Sequence, residues 1–303
     1  MMNIVAFFRK LKSYMMPITM IIGIVFYSFF SRFSFLTPYL IFTMLFITYC
    51  NIELKEIRLK KMHLWLILIQ VVGCILVYGL LYPFNPIVAQ GAMICVLAPT
   101  ATSAVVITGM LGGNTASLTA YSFLCNLTVA ICAPVIFAVI GNHSDVSFFA
   151  AMIKIGKNIL ILLILPFALA FLVRRFASPV QRKIQKSQGI SFYLWNIALL
   201  LVSSQIVYFI LDGQKEADSR VEIYIAFAAL IICCLQFIIG KTIGSKYNDR
   251  IAGGQGLGQK NTVLAIWMAQ TYLNPISSIG PGSYVLWQNI INSYQVWKRR
   301  KQN

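Results

Sequence analysis

The chain has 303 residues, 59% of them hydrophobic and 11% charged, with a formal net charge of +17 and a mean hydropathy of +0.78. Soluble domains carry about a quarter charged residues, so this composition excludes a soluble fold and points to an integral membrane protein with little mass outside the bilayer. Such basicity in a soluble chain would suggest nucleic acid; here the charges follow membrane topology, and no nucleic-acid partner is expected.

Apolar runs of roughly twenty residues, enough to cross a bilayer as helices, recur along the whole chain. In order they predict ten spans: 13–31, 36–52, 64–82, 86–111, 115–140, 148–173, 190–211, 221–242, 252–272 and 279–297. The first follows Arg9, Lys10 and Lys12 and lacks a small-residue cleavage site, as expected of an uncleaved first helix. Of the 25 Lys and Arg residues, Arg32, Lys215 and Arg220 fall on one side of the membrane and Lys154, Lys157 and Lys260 inside spans, which leaves 19 on the other side. The positive-inside rule makes the rich side cytoplasmic, with both termini there, in a multi-pass protein of the inner membrane. That side also suits anionic lipid headgroups, so membrane lipid is an expected partner. The seven cysteines (Cys50, Cys74, Cys95, Cys125, Cys132, Cys233 and Cys234) show no metal-ligand spacing with His63 or His143. They read as small packed hydrophobes, and no metal or cofactor is expected.

Two spans are interrupted, the fourth and the ninth, at the same ordinal place in each half. The fourth, "GAMICVLAPTATSAVVITGMLGGN", breaks at Pro99, and the ninth, "IAGGQGLGQKNTVLAIW", at Gly253, Gly254, Gly256 and Gly258. Five spans per half is an odd number, so the second half enters the membrane with the opposite orientation. This predicts an all-α membrane protein built as two inverted five-helix repeats, residues 1–141 and 142–303. Paired broken spans are a sequence pointer to a transporter's binding site, because freed backbone groups at mid-membrane need a ligand or water. The plainer alternative is that Pro99 only kinks its helix and the glycines let helices pack closely.

The same stretches resemble the bile acid:sodium symporter family. "LTPYLIFTMLFITYCNIELKEIR" is similar to its second helix and following basic loop, "LAPTATSAVVITGMLGGN" to its fourth helix, "GQGLGQKNTVLA" to its ninth-helix crossover, and "YVLWQNIINS" to its last helix. The resemblance implies ten helices in core and panel domains, with discontinuous helices 4 and 9 crossing where they unwind. It also implies where sodium would be held in coupled members, and several of those positions differ here. The family's crossover Glu falls on Gln255, four residues before its Gln at Gln259; its Ser-Asn pair falls on Ala104 and Val105. One fifth-helix hydroxyl position is Leu118 while another is kept as Ser122, and a third-helix Gln corresponds to Gln70.

A charge count points the same way without the family. The eight acids, Glu53, Glu56, Asp145, Asp212, Glu216, Asp218, Glu222 and Asp249, lie in loops or at span ends, so no carboxylate sits mid-membrane. Lys260 does, and an ammonium there is costly enough to mark function. It reads as a tethered cation or an anion contact; snorkelling to an interface and a neutral buried amine are the alternatives. Lys154 and Lys157 read either as snorkelling or as part of an anion pathway. The candidate binding residues are Gln70, Thr102, Ser103, Ser122, Asn126, Gln255, Gln259, Lys260, Asn261 and Thr262, with Gln255 and Gln259 expected on one helix face because they lie four apart. An enzyme is not expected: HExxH, paired membrane Asp residues and a Ser–His or Cys–His set are absent from the sequence. The function expected is alternating-access transport of a small organic anion, sodium-independent, with Lys260 in place of the coupling cation. A sodium-coupled symporter and a membrane receptor or scaffold are the rival readings.

Overall fold

A computed structural model describes residues 15, 18–51, 58–101, 103–141, 148–186, 189–209, 211 and 219–302. Among these residues the chain is helical throughout, without a β-strand. Residues 18–25 are helical and turn at Phe26 into the short α1 (Tyr27–Phe30), a 3-10 stretch (Ser31–Leu36) and α2 (Thr37–Asn51). Then come α3 (Lys61–Leu81), α4 (Pro86–Leu97), α5 (Ser103–Met110), α6 (Thr115–Ile140), α7 (Phe148–Phe176) and the short α8 (Ser178–Lys186). They are followed by α9 (Gly189–Tyr208), α10 (Ser219–Lys246), α11 (Arg250–Gly258), α12 (Thr262–Tyr272) and α13 (Ile279–Gln302).

Local chemistry sets several boundaries. The Asn85 side chain accepts from the Ile87 and Val88 N–H groups at 2.9 and 3.0 Å, and Pro86 supplies a fixed φ at the first helical position. Asn114 caps α6 through the Ser117 N–H at 2.9 Å, and Asn261 caps α12 through the Leu264 N–H at 3.2 Å. Among the described residues, five helices are long and apolar enough to cross a membrane: Tyr27–Asn51, Lys61–Leu81, Thr115–Ile140, Met152–Phe176 and Arg220–Lys246. The exposed face of α3 carries Leu64, Trp65, Leu68, Ile75 and Leu80, an apolar outside that suits lipid rather than water. The remaining segments suggested by the sequence are interrupted, shorter or more polar.

The interior is where small residues let helices close on one another. α10 and α11 share the largest interface, and α4 packs against α3 and α10. Gly240 and Gly253 face each other across the α10–α11 contact, and a Cβ on either would meet the other's backbone. A Cβ at Gly256 would lie 2.8 Å from the Tyr121 ring, and one at Gly258 would fall onto Phe237. This corrects one expectation: the glycines do not break the ninth span. Gly253 to Gly258 are helical, and the chain leaves the helix only at Gln259–Asn261. Their conformational cost is offset by the close backbone approach that no other residue permits. The other interruption falls at Pro99, as the sequence suggests. Ala98 is extended (φ −48°, ψ 137°), as the residue before proline prefers, and α4 ends at Leu97.

Candidate functional site

The two interruptions meet. Thr100 and Lys260 form an isolated antiparallel bridge, in which the Ala101 N–H donates to the Gln259 carbonyl at 2.9 Å and the Asn261 N–H to the Pro99 carbonyl at 2.8 Å. A helix that stops inside a protein leaves its last carbonyls without intrahelical donors, and buried orphans of this kind are costly. At the end of α4 each carbonyl from residue 94 to 99 has a donor. Ile94 O takes the Ala98 N–H, and Cys95 O takes Gln236 Nε2 at 3.1 Å. Val96 O takes the Lys260 ammonium at 2.9 Å, and the Gln70 amide donates to Leu97 O at 2.7 Å and Ala98 O at 3.1 Å. Gln70 Oε1 in turn accepts from Tyr121 OH at 3.0 Å and Cys125 Sγ at 3.1 Å.

The end of α11 is treated in the same way. Gly256 O accepts from Thr100 Oγ1 at 2.8 Å and Gly258 O from Tyr284 OH at 2.9 Å. Gln288 brackets Lys260: its Oε1 accepts from the Lys260 N–H at 2.8 Å, and its Nε2 donates to the Lys260 carbonyl at 3.3 Å. A relay of side chains links three helices nearby. Gln255 Nε2 donates to Asn292 Oδ1 at 2.8 Å, Asn292 Nδ2 donates to Gln259 Oε1, and Gln259 Nε2 donates to Ser103 Oγ at 3.2 Å. Gln255 Oε1 has no hydrogen-bond partner, although the residue is 1% exposed.

Lys260 is itself 1% exposed. The two acids among the described residues are Glu222 and Asp249, and Asp249 pairs with Lys60 at 2.9 Å. The titratable groups around Lys260 are the thiols of Cys74, Cys95 and Cys125. Its charge therefore rests on the carbonyl end of α4, the negative pole of that helix, where a cation is favoured. An ammonium has three donors, and Val96 O takes one of them.

Of the expected residues, Gln70, Ser103, Gln255, Gln259, Lys260 and Asn261 converge on the bridge. Gln255 and Gln259 do not share a helix face, since Gln259 lies in the extended break (φ −96°, ψ 101°) while Gln255 is the last but three of α11; Asn292 joins them instead. Thr262 is buried at the first position of α12. Thr102 lies outside the described residues. Ser122 and Asn126 sit further along α6, where Asn126 Nδ2 donates to the Ser122 carbonyl at 2.8 Å and Asn126 Oδ1 has no partner. Lys154 and Lys157 are exposed on α7, away from the bridge.

The candidate residues expected from the sequence do not include Thr100, Tyr121, Gln236, Tyr284, Gln288 or Asn292, all of which bond at or near the bridge. A signal was present. Tyr284, Gln288 and Asn292 stand four apart on α13, as Ser117, Tyr121 and Cys125 do on α6, so each trio makes one polar stripe down an otherwise apolar helix.

Membrane-length apolar helices around two broken ones whose ends are capped from every side define a multi-pass integral membrane protein. The model of the sodium bile acid symporter family matches residues 37–213, more than half of the chain, and the chain belongs to that family. Its members are sodium/bile acid-type transporters rather than enzymes. No curated protein matches the chain.

Proposed function

We propose that this protein moves a small organic anion across the inner membrane by alternating access and does so without sodium, Lys260 standing where a coupling cation would bind. In this reading the chain forms two inverted five-helix repeats, residues 1–141 and 142–303, arranged as core and panel, and the two broken helices lie at the centre of the core. The observation that carries it is the Lys260 ammonium 2.9 Å from the Val96 carbonyl, at the pole of a broken helix and without a carboxylate partner among the described residues. A sodium ion in a symporter supplies positive charge that comes and goes with transport; a lysine supplies it permanently.

The test is uptake of labelled organic anions, a bile acid among them, into proteoliposomes under imposed Na⁺ or K⁺ gradients. Equal uptake under both is expected. Strict dependence on inward Na⁺ overturns the reading of Lys260, and saturable binding without any flux identifies a receptor instead.

One observation favours the sodium-coupled alternative. Gln255 Oε1 is a buried acceptor with no donor, a situation that costs about 1–3 kcal/mol and is relieved by a cation. The gradient experiment separates the two readings.

A further inference from the structure

Away from the helix breaks, a second charged cluster forms where α10 ends, α11 begins and α13 ends. Lys241 is half-buried, its methylenes occupying the space that a side chain at Gly254 would need, and the charged groups acting on it are the cations Arg250 and Lys298. The Arg299 guanidinium packs on Gly112, whose φ of +77° holds the turn after α5 open to it. Beside these side chains is an open cleft of about 680 Å³, lined by Gly112, Gly113, Asn114, Ser245, Asn248 and Arg250. The one acid at the cleft is Asp249, whose side chain is 4% exposed and already paired with Lys60. Arg250 lines the cleft and Lys241, Lys298 and Arg299 lie around it, so four cations stand against one neutralised carboxylate, an excess of positive charge that attracts an anion.

The level of the cleft says which anion. Tyr294 and Trp297 are exposed on α13 with ring centroids 5.9 Å apart, and Lys301 Nζ lies 4.2 Å from the Trp297 ring. Exposed Tyr and Trp beside basic residues mark the headgroup layer of a bilayer. From Lys298 an exposed stripe of Tyr294, Ile290 and Leu286 runs back along α13 at four-residue spacing, away from the cleft and towards the apolar part of the helix.

We propose that the cleft binds the phosphate of an anionic phospholipid, held by Lys241, Arg250, Lys298 and Arg299, with one acyl chain lying along Tyr294, Ile290 and Leu286. A soluble phosphate would satisfy the charge but has no use for the apolar stripe.

The test measures thermal unfolding of the purified full chain in detergent with added phosphatidylglycerol, phosphatidylcholine or inorganic phosphate. The wild type is expected to gain a few degrees from phosphatidylglycerol alone, and the doubly substituted Lys298→Gln/Arg299→Gln protein to lose that gain. Arg175→Gln, an exposed cation elsewhere, keeps it. Native mass spectrometry gives a second readout: retained phosphatidylglycerol falls at least several-fold in the double variant. If that variant does not fold, Lys298→Gln alone, at an exposed position, is expected to halve the retained lipid or more. Equal stabilisation by phosphatidylcholine, stabilisation by inorganic phosphate as large as that by the lipid, or undiminished lipid retention in the variants each overturns the proposal.

Discussion

Lys260 has two jobs to separate, holding the Val96 carbonyl and placing charge at the helix break. Lys260→Met keeps most of the side chain's volume and removes both. Leaving a buried carbonyl without its donor costs about 1–3 kcal/mol, so a lower unfolding temperature in detergent is expected along with loss of uptake. Lys260→Arg restores charge, but a planar guanidinium does not reproduce a compact ammonium, and its uptake is expected to stay low. Rates per folded molecule, from fluorescence-detected gel filtration and vesicle flux, make the comparison; full flux from a destabilised Lys260→Met would reduce the residue to a structural cap. Gln70 gives a cleaner case. Gln70→Leu strips donors from Leu97 O and Ala98 O together, so a larger fall in unfolding temperature is expected than for Asn126→Leu, whose amide donates only to a carbonyl one turn back on its own helix.

At the scale of elements, the α10–α11 contact depends on two backbones touching. Gly240→Ala puts a Cβ onto the Gly253 backbone, which cannot swing aside as a side chain can. Overpacking a tight interface costs typically about 1–3 kcal/mol, and because α11 runs directly into Gln259 and Lys260, misplacing it shifts the site. Gly79 on α3 is the control: a Cβ there meets nothing within 4 Å. Gly79→Ala is therefore expected to be neutral, or to stabilise by up to about 1 kcal/mol through helix propensity. Thermal unfolding of both variants in the same detergent checks this, and equal behaviour would mean that the glycine packing contributes nothing.

For the whole molecule, the charge distribution makes a prediction independent of the site. The positive-inside rule expects the basic loops to be cytoplasmic; on that expectation a cysteine at position 186 in a cysteine-free background resists an impermeant thiol reagent applied to intact cells and reacts after permeabilisation. Labelling before permeabilisation would overturn this topology. The helices fall where the apolar runs stand: 36–52 against Thr37–Asn51, 115–140 against Thr115–Ile140, 221–242 against Ser219–Lys246. A helix that must satisfy its own backbone in lipid announces itself by composition alone, so this much of the architecture is local information.

The sequence by itself determined the membrane character, the extents of several long apolar helices, and the break at Pro99, because each follows from chemistry within a few residues: apolar length, an Asn cap, a missing N–H. The tertiary structure alone decided the rest of the site. Gly253 to Gly258 look like a break in sequence and are helix in the fold, since the use of a glycine depends on the backbone that packs against it. Lys260 and Val96 are separated by 164 residues, Gln255 and Asn292 by 37. A carbonyl freed where a helix stops takes its donor from whichever neighbouring helix presents one, and nothing near it in the chain records which helix that will be.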